Sequence, residues 1–159
     1  MIRVTVIALA KLKEKYLKDA VAEYEKRLSR YAKLDIIELE PVRLPENPSD
    51  AQIKDALEKE AQEVLRKIPS GARSVAMCIE GKQMPSEEIA RLLSDAEMSA
   101  GSIAFIIGSS YGLSEPLKKQ CDMRLSVSPM TFPHQLFRVM LLEQIYRGFK
   151  INEGSAYHK

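Results

Sequence analysis

The stretch Ser102-Ile103-Ala104-Phe105-Ile106-Ile107-Gly108-Ser109-Ser110-Tyr111-Gly112-Leu113 decides how the chain is read. An uncharged, largely β-branched or aromatic run broken abruptly by glycine has the character of a strand covered on both faces, as in a parallel sheet enclosed by helices. Ligands of open α/β sheets gather beyond the carboxyl ends of such strands, so Gly108 and Gly112 stand where a backbone can approach a ligand closely. The plainer alternative is that both glycines only permit a tight connection. The spacing fits neither a dinucleotide fingerprint nor a phosphate loop, because no lysine followed by serine or threonine comes after the second glycine.

Downstream, Met123-Arg124-Leu125-Ser126-Val127 reads as a short strand, and Ser128-Pro129-Met130-Thr131-Phe132-Pro133-His134 leads into a long helix. The two prolines fix their own φ and push the preceding residues out of helical geometry, which predicts a stiff, extended loop. An uncharged loop of this kind suits a neutral or zwitterionic ligand held through backbone groups, whereas phosphate calls for more positive charge. The helix, roughly Gln135 to Lys150, carries Leu136, Phe137, Val139, Met140, Leu141, Leu142, Ile145, Tyr146 and Phe149 around most of its circumference. It needs cover on two sides, from the sheet and either a second subunit or the rest of the same core.

Upstream the pattern alternates. Ile2 to Leu9 is a strand, and Leu17, Ala20, Val21, Tyr24, Leu28 and Tyr31 fall at helical spacing. Leu34 to Leu39 is a strand, followed by a proline-rich loop to Pro48. Ser49 or Asp50 caps a helix with the stripe Ile53, Leu57, Ala61, Val64, Leu65 and Ile68, stopped by Pro69-Ser70-Gly71. Ser74 to Ile79 is a strand ending in a glycine turn, Glu80-Gly81-Lys82, and Pro85 and Ser86 start a helix with Ile89, Leu92, Leu93 and Ala96 on one side. Strands alternating with helices predict an α/β fold with a mostly parallel sheet flanked by helices, in one domain spanning residues 1–159.

Composition excludes several classes. With 45% hydrophobic and 29% charged residues over 159 positions, the chain is ordinary for a soluble globular protein. A net charge of +2 does not announce a nucleic-acid binder, although a small excess can be concentrated on one face. Cys78 and Cys121 have no paired spacing, so neither a disulfide framework nor a metal site is expected, in keeping with a cytoplasmic setting. The amino-terminal apolar run is β-branched and followed by Lys11-Leu12-Lys13-Glu14-Lys15, which argues for a first strand rather than a leader, and no run reaches membrane-spanning length.

Taken together, Ile107-Gly108-x-x-x-Gly112-Leu113, the loop Leu125-Ser126-x-Ser128-x-Met130-Thr131-Phe132-Pro133-His134, the helix from Arg138-Val139 through Glu143-Gln144-Ile145-Tyr146-Arg147, and the ending Ala156-Tyr157-His158-Lys159 closely resemble the ribosomal large-subunit methyltransferase H family of the SPOUT class. The resemblance extends over the whole chain, including Ala10-Lys11-Leu12-Lys13-Glu14 and Tyr24-x-x-Arg27-Leu28. It departs at Ser109, where the family usually has a second glycine. The resemblance implies methylation of N3 of a pseudouridine in 23S rRNA, S-adenosylmethionine as the donor, a homodimer acting on 23S rRNA or the assembled ribosome, and a carboxy-terminal trefoil knot within roughly residues 73–159.

Carried over position by position, the resemblance implies cofactor binding at Met77, Gly108, Val127, Ser128, Pro129, Met130, Thr131 and Phe132. For Met77 and Met130, core packing is the ordinary alternative. Catalytic candidates are His158 and Tyr157, in a tail whose glycine and polarity suggest a flexible end, and Arg138, facing either the cofactor carboxylate or an RNA phosphate. His134 is expected to order the start of the helix, and Glu143 and Arg147 are spaced for an i,i+4 pair. Two other readings stay open: a SPOUT enzyme acting on tRNA or another rRNA position, and a non-catalytic RNA-binding α/β module. A flavodoxin-like nucleotide-binding domain is disfavoured by the missing phosphate fingerprint.

Overall fold

A computed structural model describes residues 1–159. The chain runs β1 (Ile2–Ala8), α1 (Lys15–Leu28), β2 (Ala32–Glu38), α2 (Asp50–Lys67), β3 (Arg73–Gln83), α3 (Ser86–Ser99), β4 (Ser102–Ile107), α4 (Glu115–Gln120), β5 (Met123–Ser126) and α5 (His134–Asn152). The five strands form one sheet in the order β2-β1-β4-β3-β5, and every pairing is parallel. The apolar run that opened the sequence is β4, at the centre, hydrogen-bonded to β1 on one side and β3 on the other. Its burial on both faces follows. Ile103, Phe105 and Ile107 pack into a core shared with Val21 and Leu28 of α1, Leu92 and Leu93 of α3, and Leu142 and Ile145 of α5. Ile106 points the other way, with Ile7 and Ala76, against Val64 of α2 and Leu117 of α4.

Local chemistry accounts for the ends of these elements. Ser49 accepts the Gln52 N–H while the Gln52 side chain accepts the Ser49 N–H, a reciprocal cap that starts α2 at the expected place. The short α4 lay unrecognised in the sequence because six residues carry too little periodicity; Ser114 caps it, and Pro116 lies in its first turn. The structure corrects the reading of Glu80-Gly81-Lys82 as a turn. β3 continues through these residues to Gln83, with a register shift between Met77 and Lys82 where it pairs with β5. Gly81 is needed because a Cβ there would sit 2.7 Å from the Leu125 backbone.

The connections set up the site. From β3 the chain passes through α3 to β4, toward β1, and then returns through α4 to β5 on the far side of β3. This reversal brings the carboxyl ends of β3, β4 and β5 together, and a crevice opens at such a switch point.

Candidate active site

The crevice is a cavity of about 420 Å³. It is walled by Met77 to Glu80 from β3, by Ile107 to Leu113 from the turn after β4, and by Leu125 to Ser128 with Met130, Thr131 and Phe132 from β5 and its loop; His134 and Phe137 close one end. Of the eight positions expected to bind a cofactor, seven line it: Met77, Gly108, Val127, Ser128, Met130, Thr131 and Phe132. Pro129 does not. Its neighbours show how the loop is shaped: Ser126 Oγ donates to the Ser128 carbonyl at 3.2 Å, and Ser128 Oγ accepts the Met130 N–H at 2.9 Å. Met130 and Val127 line the cleft and remain exposed, 74% and 39%.

The glycine turn is built by steric necessity. A Cβ on Gly108 would lie 2.5 Å from the carbonyl carbon and oxygen of Gly112, and Gly112 has φ +80°. The Gly112 N–H donates to the Ser109 carbonyl at 2.8 Å, closing the loop. The two glycines make the connection tight, and the same turn forms one wall of the cleft. Ser109, the position that departs from the family pattern, donates its hydroxyl to Oε1 of Glu60 at 2.8 Å. Glu60 is buried on α2, and its other oxygen accepts the Val42 N–H at 2.9 Å. The serine therefore ties the turn to the proline-rich loop through a carboxylate, a link between three distant segments that no local pattern announces.

Charge enters the cleft from residues the sequence did not single out. Lys118 of α4 and Glu80 of β3 both line it and are paired with each other; Lys118 also lies 3.3 Å from Glu115, which Arg124 holds at 3.1 Å. Burial works to lower the Lys118 pKa, but the Glu80 and Glu115 carboxylates outweigh it and raise the value; Lys118 in turn holds Glu80 below its ordinary range. Burial pushes the Cys78 thiol up, so it is a poor thiolate. His134 is the first residue of α5, one position earlier than expected, and makes no side-chain cap to the helix; its Nε2 lies 3.5 Å from Ser110 Oγ.

The three expected catalytic residues are not in the cleft, whose lining ends at Phe137. Arg138 corrects the expectation of a side chain facing the cofactor carboxylate or an RNA phosphate. It is 1% exposed, donates from Nη1 to Glu38 Oε2 at 2.6 Å and from Nη2 to the Ala10 carbonyl at 3.0 Å, and leaves its Nε without a partner. Burial favours the neutral form of Glu38, yet the Arg138 guanidinium and the Leu12 N–H together hold its pKa below the usual carboxylate value. This pair clamps α5 to the ends of β1 and β2.

Tyr157 and His158 lie on the surface of α5. The tail, expected to be a flexible end, is docked: the Tyr157 hydroxyl donates to Glu143 Oε2 at 2.9 Å, and His158 Nε2 lies 2.8 Å from Glu87 Oε1 on α3. Burial and the Glu143 carboxylate raise the Tyr157 pKa, and the same two causes push Tyr24, whose hydroxyl donates to the same oxygen at 2.8 Å, up to about 12.

The cleft fits an adenosyl donor. Its volume is that of a small-molecule site, apolar side chains can enclose a purine, and the Ser128 and Thr131 segment offers backbone groups to its edge. No group of three or more His, Cys, Asp or Glu side chains is arranged to hold a metal ion, and no helix is long and apolar enough to cross a membrane.

Known proteins similar to this chain carry the name of methyltransferases. A family model described as "Predicted SPOUT methyltransferase" matches residues 2–158. The chain is 50% identical over 157 residues to the ribosomal RNA large subunit methyltransferase H of Clostridium kluyveri, a match covering 98% of this chain and 99% of that protein. The protein of the same name from Clostridium beijerinckii is also 50% identical over 157 residues. That from Streptococcus thermophilus is 49% identical over 158 residues, covering 99% of both chains.

Proposed function

We propose, for a chain that belongs to the SPOUT methyltransferase family, that it transfers the methyl group of S-adenosylmethionine to N3 of a pseudouridine in 23S rRNA. The full-length relationship to the methyltransferase H proteins carries this reading, and the cleft at the β3/β4/β5 switch point supports it. The fold that goes with the family includes the carboxy-terminal knot.

Met77, Gly108, Val127, Ser128, Met130, Thr131 and Phe132 are the residues to hold the donor, with Pro129 stiffening the loop that presents them. S-adenosylmethionine supplies a methyl carbon already activated by its sulfonium. The protein's share is alignment of donor and acceptor, together with exclusion of water. The imide N3 must also lose a proton as the new bond forms, which calls for an acceptor or a hydrogen-bond network at the base.

Tyr157 and His158 suit contact with the target base, and Arg138 is the clamp that fixes α5 beside Glu38. Because the tail docks on α5 outside its own cleft, the reading includes a homodimer in which one protomer's tail serves the other's cleft. The apolar rim supports this: Ile79, Tyr111, Val127, Met130 and Leu136 are exposed large hydrophobic residues at or beside the cleft, and a second copy would cover them.

Mass mapping of rRNA from unmodified ribosomes incubated with protein and donor tests the reading. One added methyl group on a 23S pseudouridine is expected. Transfer to tRNA instead would move the protein to another SPOUT activity, and cofactor-independent RNA binding without transfer would leave a non-catalytic module.

A further inference from the structure

The docked tail is held by a small set of groups that act as one unit. Glu143 is the only acidic residue on α5. Its carboxylate accepts three hydrogen bonds: from the Tyr24 hydroxyl of α1 at 2.8 Å and the Tyr157 hydroxyl of the tail at 2.9 Å, both on Oε2, and from Arg147 Nε at 2.8 Å on Oε1. The Arg147 guanidinium lies over the Tyr157 ring, 4.8 Å from its centroid, and its Nη1 is 3.1 Å from His158 Nδ1. Tyr146 meets the Tyr157 ring edge-on, with ring centroids 5.1 Å apart.

These contacts dictate the state of the histidine. A guanidinium can only donate, so Nδ1 of His158 must accept. The ring proton then sits on Nε2 and is donated to Glu87 Oε1. In this position neither ring nitrogen of His158 is free.

We propose that Glu143 and Arg147 form a cradle that sets the position of Tyr157 and the tautomer of His158, making both positioning residues for methyl transfer. The i,i+4 spacing of Glu143 and Arg147 is used to present two different atoms of one guanidinium, Nε to the carboxylate and Nη1 to the tail. A helical ion pair alone would need no Tyr24, no Tyr157 and no His158. The proposal rests on the reading of the tail as part of the site.

The test uses the full chain with isotope-labelled histidine. In the unaltered protein, the His158 nitrogen shifts report a single tautomer protonated at Nε2, and carboxypeptidase removes Lys159 and His158 slowly. Glu143→Ala and Arg147→Ala are expected to mix the tautomers and to speed release roughly ten- to hundredfold, the loss of charge-assisted hydrogen bonds. Donor affinity by calorimetry should hold while kcat falls by a similar factor. Adding Tyr157→Phe to Glu143→Ala should cost far less than the product of the two single losses, because both act through one contact. If Glu143→Ala fails to fold, Arg147→Ala alone reads the tautomer and tail release in its place.

An unchanged tautomer and unchanged tail protection in these variants overturn the cradle. So does a freed tail with undiminished turnover. Absence of methyl transfer by the unaltered protein sinks the functional reading instead, and the tautomer and protection measurements keep the two failures apart.

Discussion

Removing Glu38 while leaving Arg138 in place should be among the most destabilising single changes available in this chain. Arg138 is 1% exposed, and its only anionic partner is the Glu38 carboxylate at 2.6 Å. Breaking a buried pair by deleting one member typically costs about 3–5 kcal/mol, because the other charge is left without compensation. The Glu38 side chain is 36% exposed, so water screens part of the interaction and places Glu38→Ala near the low end, about 3 kcal/mol, including the lost acceptor for the Leu12 N–H. At about 2–4 °C per kcal/mol for a chain of this size, the melting temperature should fall by about 6–12 °C. Arg138→Met removes the buried charge together with its desolvation penalty and lets Glu38 turn to water, so it should cost no more than about 1 kcal/mol. Urea unfolding followed by circular dichroism at one fixed protein concentration gives both values, with equal m-values as the check on two-state behaviour. The reasoning is refuted if Arg138→Met costs as much as Glu38→Ala, or if Glu38→Ala is neutral.

The same pair predicts an acid dependence. The folded Glu38 pKa lies below its ordinary value of 4.5, so the unfolded chain binds more protons between the two. The contribution is fully present above the ordinary value and fades as pH falls through the folded one; the stability gap between the native protein and Glu38→Gln should close in that window. Deleting Ala156 to Lys159 should abolish methyl transfer while leaving donor binding by calorimetry intact, and unchanged turnover would remove the tail from the site. Gly108→Val should weaken donor binding and lower stability together, since its Cβ would start 2.5 Å from the Gly112 backbone; retained affinity would count against the cleft. Ser109→Ala leaves the buried Glu60 oxygen without its donor at 2.8 Å and should cost about 1–3 kcal/mol in the same urea assay, whereas no measurable loss would show that water takes the place of the hydroxyl.

Much of the fold was legible because its signals are local. The run Ser102–Ile107 is apolar at every position after the first and ends in glycine, the pattern of a short strand buried on both faces, and it is the central strand. The Ser49 cap lies within four residues of its partner, so the start of α2 could be placed. The composition of the loop around Ser128 to Phe132 pointed to a binding segment, and seven of the eight positions that the family resemblance implied do line the cleft. The glycine in Glu80-Gly81-Lys82 misled, because the same residue serves a turn or a strand crowded by its neighbour, and only the approach of Leu125 distinguishes them.

What the sequence by itself determined is therefore the set of elements, their parallel alternation, and which loops have the composition of a binding site; each depends on residues a few positions apart. The tertiary structure alone decided the strand order, the burial of Arg138, the Ser109 link to Glu60 and the convergence of Tyr24, Arg147 and Tyr157 on Glu143. These interactions reach across 100, 49 and up to 119 positions of the chain. A polar side chain in a sequence does not reveal whether it faces water or a partner from a distant segment. Only closing those long loops, with the burial that accompanies it, decides which charges must pair and which phenol holds the tail.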